Sequence, residues 1–204
     1  MDCYLTIEKD VRVKIAVGAC RFIASVAFCS SEEQARDFIF RVKEEFSDAT
    51  HNAFAYKIGL GDEAITRTSD ADEPVGTAGP PLLSAIEKTK VTNVVIVGTR
   101  YFGGVKLGIG GLIRAYRACG QAGLEKAGVR ERVFKKEYTL VIPYDFIGQV
   151  MKEISGLQGK VTGVRYGTSV EIDTVLLPGN LEHFQKKVSD VTRGQGIISK
   201  KESE

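Results

Sequence analysis

The sequence predicts an α+β fold in two domains, and three observations carry that expectation. Apolar residues recur at alternate positions in some stretches and at three- and four-residue spacing in others, so strands and helices are both present. After Gly128 the chain reads strand, helix, strand, strand, helix, strand, the split βαβ order of a ferredoxin-like domain. The length of 204 residues, 43% apolar and 26% charged, suits one large domain or two small ones of ordinary globular composition.

VRVKIAV (11–17) and CRFIASVAF (20–28) alternate with period two and read as two strands. Ser30 and Glu33 form a capping-box pattern, and Ala35, Phe38, Ile39, Val42 and Phe46 then share one helical face, giving an amphipathic helix over about 31–46. In HNAFAYKIGL (51–60) Phe54, Tyr56 and Ile58 alternate with small or polar residues, which predicts a strand with one buried face. A polar loop of about twenty residues follows, a length that is usually functional. ProProLeuLeu (80–83) opens a short helix, since proline is tolerated in a first turn. VTNVVIVG (91–98) is a central strand. The stretch 109–127 returns to helical spacing through Leu112, Ala115, Tyr116, Cys119 and Ala122, and its internal Gly120 and Gly123 require close packing against a neighbour. Beyond a boundary near 128–132 come a strand (133–142), a helix (144–155), two strands (159–166, 169–177), a helix (180–192) and a strand (196–200). The order β-β-α-β-α-β-α therefore occupies 1–130, and the ferredoxin-like domain 131–204.

Lys and Arg number 28 against 26 Asp and Glu, so a blanket of positive charge is excluded and any electrostatic footprint is local. No apolar run is long enough to span a membrane, and MDCYLTIEKD lacks the features of a secretory signal, which places the protein in the cytoplasm. Cys3, Cys20, Cys29 and Cys119 form no CxxC pair and have no histidine at ligand spacing, so free thiols are expected, with neither metal nor cofactor.

The sharpest local field lies between Glu87 and Glu125, where Lys88, Lys90, Arg100, Lys106, Arg114 and Arg117 are accompanied by no acidic residue. At its centre, Gly103, Gly104, Gly108, Gly110 and Gly111 precede a helix carrying Arg114 and Arg117 on one face. Glycines permit close backbone approach and a helix start offers unpaired N–H groups, so an anion such as phosphate is the natural ligand. Neither the P-loop spacing nor GxGxxG is met. The same glycines also suit tight turns and helix packing. Tyr101, Phe102 and Tyr116 interleave with the cations, a mixture used by single-strand nucleic-acid surfaces, although core packing accounts equally for one of Phe102 and Tyr116.

A second cluster lies just upstream, in ITRTSDADEPVGTAGPP (65–81). Here Arg67, Ser69, Asp70, Asp72 and Glu73 precede Gly76, Thr77 and Gly79. Its carboxylates read as metal ligands, as an acid–base pair, or as a loop salt-bridged to the basic segment. His51, three residues after Asp48, reads as a carboxylate-oriented base or as a structural histidine.

CRFIA (20–24), AxH (49–51), SDADEPVGTAGPP (69–81) and RYFGGVKLGIGGLIRAY (100–116), followed by the split βαβ domain, resemble the IMPACT family in its bacterial YigZ branch. The sequence departs from the family pattern SDDGEP, with Ala71 in place of the second Asp and Asp72 in place of the Gly in Ser69-Asp70-Ala71-Asp72-Glu73-Pro74. The resemblance implies two modules similar to domains IV and V of elongation factor G, and a cytosolic protein connected with translation or nucleic-acid binding rather than an established enzyme. Together these readings predict binding of RNA or the ribosome through Arg100, Lys106, Arg114 and Arg117, with Tyr101 stacking. The alternatives are an enzyme acting on a phosphorylated small molecule and an interaction module on translation factors.

Overall fold

The computed structural model describes residues 3–201. They divide into two compact units, Tyr4–Arg132 and the residues from Val133 onward together with Cys3. The first unit runs β1 (Cys3–Ile7), β2 (Val11–Val17), β3 (Cys20–Phe28), α1 (Glu32–Glu45), β4 (His51–Ile58), β5 (Ile65–Ser69), α2 (Gly79–Thr89), β6 (Val94–Tyr101), α3 (Gly108–Ala127) and β7 (Val129–Val133). Five strands form one sheet in the order β2-β3-β6-β4-β5, every neighbour antiparallel. β1 and β7 make a separate two-stranded ribbon.

Strand parity builds three layers, because successive side chains point to opposite faces. Phe22, Ala24, Val26, Ala53, Ala55, Val94 and Ile96 pack with Leu82 and Ile86 of α2 and Leu112, Ala115 and Tyr116 of α3. The alternate residues Ala27, Tyr56, Ile58, Val95 and Val97 pack with Ala35, Ile39 and Val42 of α1. β4 is therefore buried on both faces, and the face toward α2 carries the alanines Ala53 and Ala55. α3 also sits tightly, as its glycines require: a Cβ on Gly123 would lie 2.6 Å from Val26 Cγ2, and one on Gly120 would lie 3.0 Å from Ala85 Cβ.

Besides β1, which the sequence reading lacked, three elements depart from it. Ser31, with extended φ of −139°, caps α1 by accepting from Gln34 N, so the capping pair is Ser31 and Gln34 instead of Ser30 and Glu33. The long loop after β4 is partly structured, since Ile65–Ser69 pairs with Phe54–Ile58 as an edge strand. Its mostly exposed or half-buried ITRTS lacks an apolar face and so hides the strand. The strand expected over 133–142 is two strands, β7 ending at Val133 and the next starting at Lys136.

The second unit contains β8 (Lys136–Ile142), α4 (Ile147–Gly156), β9 (Lys160–Tyr166), β10 (Val170–Leu176), α5 (Leu181–Thr192) and β11 (Ile197–Lys200). Its sheet order, β11-β8-β10-β9, is antiparallel and is the split βαβ arrangement. Leu140, Ile142 and Ile172 face Val150 and Ile154 of α4 and Phe184 and Val188 of α5. On the alternate parity, Asp173 accepts from Arg165, Thr139 and Lys201, and these donors hold its carboxyl well below the usual range, hydrogen bonds from Arg165 foremost.

Candidate functional site: an ion-paired cavity at the start of α3

The parity that sends Val94 and Ile96 toward α2 and α3 sends Arg100 the same way, and the register sets His51 of β4 directly opposite it. Arg100 is buried, with only 6% of its surface exposed. Its Nη1 donates to both oxygens of Glu73, at 2.9 and 3.0 Å, and Nη2 donates to Cys20 Sγ at 3.6 Å. Tyr116 of α3 donates its hydroxyl to Glu73 Oε1 at 2.7 Å, and His51 Nε2 lies 3.8 Å from Glu73 Oε2. Burial works against the Arg100 charge, but Cys20 and Glu73 more than offset it and its pKa rises. Burial and the Glu73 hydrogen bond both keep the Tyr116 phenol protonated. The imidazole is oriented by a main-chain group: His51 Nδ1 lies 2.8 Å from Ala71 O, an atom that can only accept.

The loop that brings Glu73 here is fixed by Asp70. Its Oδ1 accepts from Ala78 N and Gly79 N, and its Oδ2 from Gly76 N, so the carboxylate serves the amino end of α2. Burial alone would raise the Asp70 pKa, yet these three donors hold it below the ordinary value. Gly79 packs so closely on β5 that a Cβ there would meet Ser69 N at 2.9 Å. Gly76 has φ +79°, and Thr77 donates to Pro74 O. Ala71 and Asp72 adopt φ +48° and +68° without being glycine. Ser69 Oγ accepts from Ala71 N, while Arg67 stays exposed on the edge strand.

These placements correct several expectations. Arg100 is an interior ion-pair partner and presents no charge to a polyanion. Tyr101 lies on the opposite parity of β6, donates to Asp48 Oδ1 at 2.7 Å and is covered by Arg21, whose guanidinium carbon is 4.4 Å from the ring centre. Asp48 is thereby engaged with Tyr101 instead of orienting His51. Of the two ambiguous aromatic residues, Tyr116 is core and Phe102 is exposed. Asp70 and Glu73 are each committed to other partners, and among the described residues no three His, Cys, Asp or Glu side chains converge as a metal site.

Lys106, Arg114 and Arg117 remain exposed, and none of them joins an ion pair among the described residues. Arg114 leans back toward the start of α3, its Nη1 3.4 Å from where a Gly110 Cβ would sit. Gly104 and Gly108 need their positive φ of +88° and +69°. Gly103 is needed for room, because a Cβ there would fall 1.8 Å from Ala19 O. Gly111 has less space than Gly108, a Cβ there meeting Leu107 at 3.0 Å. Beneath this loop lies a cavity of about 380 Å³, lined by Thr50, His51, Glu73 and Arg100 at polar positions and by Phe102, Leu107, Ile109 and Leu112 at apolar ones, with Lys106 and Gly108 also contributing. The cavity-lining Ile109 and Leu112 carried no signal in the sequence beyond helical spacing.

The segments that meet here, SDADEP, GTAG, TRYFGG and the start of α3, are far apart in the chain, and comparison with known proteins accounts for their combination. A model of the Impact N-terminal domain matches residues 19–124, and a domain of unknown function matches 140–195. The chain is 34% identical over 202 residues to the IMPACT family member YvyE of Bacillus subtilis (strain 168), covering 99% of this chain and 93% of that one. It belongs to the IMPACT family. A second IMPACT family member, YigZ of Escherichia coli (strain K12), is 30% identical over 195 residues, covering 95% of this chain and 96% of that one. A crystal structure of a hypothetical protein superposes over the whole of both chains with a TM-score of 0.77 at 29% identity. The Impact N-terminal domain and the domain of unknown function that follows it accord with the α+β fold and its two-domain order.

Proposed function

We propose that the protein binds RNA, free or on the ribosome, and acts in connection with translation. The observation that carries this reading is the cationic start of α3. Lys106, Arg114 and Arg117 are exposed and unneutralised, and Arg114 leans over a first helical turn that holds no acidic residue and has no side-chain cap. A guanidinium beside unpaired N–H groups is electrostatically unfavourable unless an anion joins them, and phosphate satisfies both. Phe102 replaces Tyr101 as the ring available for stacking. The resemblance to modules of elongation factor G supports the link to translation.

Sedimentation with ribosomes across a salt series, with and without nuclease, tests this. Binding is expected to weaken with salt by a slope of about 0.7 per phosphate contacted on single strands. The double variant Lys106→Ala, Arg114→Ala is expected to lower both affinity and slope. Unchanged affinity and slope in that variant reject the proposal. One observation favours a second reading, a protein partner: Val75 is 98% exposed, and Phe102, Val105 and Ile109 are exposed apolar residues of the same domain. That reading requires co-purification that survives nuclease. An enzyme using Asp70 or Glu73 as base finds both carboxylates already committed.

A further inference from the structure

We infer that the cavity under the start of α3 is a mononucleotide site, taking a base inside and its phosphate at the mouth. The inference rests on the RNA-binding reading and specifies its ligand. A volume of about 380 Å³ is that of a small-molecule site, not of a groove for a folded strand. Phe102, Leu107, Ile109 and Leu112 give the cavity an apolar lining against which a planar ring can pack. A bare sugar phosphate would leave its hydroxyls unpaired against those walls.

The polar residues of the cavity retain hydrogen-bonding capacity of both kinds. Arg100 Nε is buried and has no acceptor among the described residues, although the rest of its guanidinium is paired. An unfilled buried donor is costly, and because Nε is sealed from solvent a base carbonyl or ring nitrogen would reach it only with a shift of the guanidinium. His51 uses Nδ1 on Ala71 O, which leaves Nε2 as an acceptor when the ring is neutral. One donor and one acceptor match the mixed edge that a base presents. At the mouth, Lys106 and Gly108 meet the first turn of α3, whose leading N–H groups have no intrahelical partners. Nothing lies within 4 Å of where a Gly108 Cβ would be, so a phosphate can approach the backbone directly.

The ligand chemistry is a nucleoside 5′-phosphate, either free or at the end of an RNA strand. Titration of the full chain with the four 5′-mononucleotides, ribose 5-phosphate and inorganic phosphate, followed by amide and imidazole resonances, tests the inference. At least one mononucleotide is expected to shift Gly108, Ile109 and the His51 ring, and ribose 5-phosphate is expected to bind roughly tenfold or more weakly, the size of one lost base contact. Phe102→Ala is expected to weaken the mononucleotide to a similar degree, and Ile109→Trp, at an exposed wall position, to block it. Competition by a 5′-phosphorylated oligonucleotide, and not by its 5′-hydroxyl counterpart, assigns the site to a strand end; mononucleotide binding that neither displaces assigns it to a free nucleotide. Equal affinity for ribose 5-phosphate, or no shift at millimolar mononucleotide, overturns the inference even if ribosome sedimentation persists. Loss of sedimentation with mononucleotide shifts intact rejects the broader function alone.

Discussion

Arg100 shows how one side chain can hold a site together without touching a ligand by charge. Its guanidinium and the Glu73 carboxylate are both nearly inaccessible, so each depends on the other for solvation. Arg100→Ala strands a buried carboxylate and is expected to cost about 3–5 kcal/mol in urea unfolding. Tyr116→Phe, which removes one donor to the same carboxylate, should cost about 1.5–3 kcal/mol. Asp70 makes a separate prediction with a definite sign. Its pKa is depressed in the folded chain, so its stabilisation is complete above the ordinary aspartate value of about 4 and fades as pH falls through the lower folded value. Asp70→Asn should therefore lower stability by about 1–2 kcal/mol at neutral pH and make the acid limb shallower, as measured by unfolding at stepped pH. The sequence announced opposite fields in 65–81 and 100–117 but not which cation goes inside. Strand parity decides that. In VVIVGTR both parities are apolar, because both sheet faces are covered, so alternation carries no inward direction for Arg100 or Tyr101.

α3 is the element on which the site depends, since it delivers Tyr116 to the ion pair and its first turn to the cavity. Its height above the sheet is set by Gly123 against Val26 and Ala24, and its distance from α2 by Gly120 against Ala85. Gly123→Ala gains helix propensity but overpacks Val26 and Ala24, with a net loss of about 1–3 kcal/mol expected in thermal or urea unfolding. A downward shift in mononucleotide or RNA affinity should accompany it as α3 lifts. Most elements were legible because their periodicity is strong: the strands β2, β3, β4 and β6, the helices α1 and α3, and the whole split βαβ order. β5 and the β1–β7 ribbon were not, because short strands with little apolar alternation look like loops until a partner is known. The capping register of α1 slipped by one for a related reason, since Ser30 and Ser31 are both followed three positions later by a suitable partner.

At the scale of the molecule, the two units have separate cores that share no residue. A chain beginning at Val133 is expected to fold alone, with cooperative unfolding and the dispersed amide spectrum of a ferredoxin-like sheet; a spectrum collapsed to random-coil shifts would count against it. The placement of the thiols adds a practical consequence. Cys20, Cys29 and Cys119 all lie within the first unit, shielded from solvent, and no cysteine occurs after residue 119. Burial pushes Cys119 up to about 12, and burial with the nearby Asp10 charge does the same for Cys29. An alkylating reagent can therefore reach these three sulfurs only when that module opens, whereas exposed Cys3 reacts without any opening. The chain carries its own clock for the breathing of one half, and any ligand that closes the cavity should slow it.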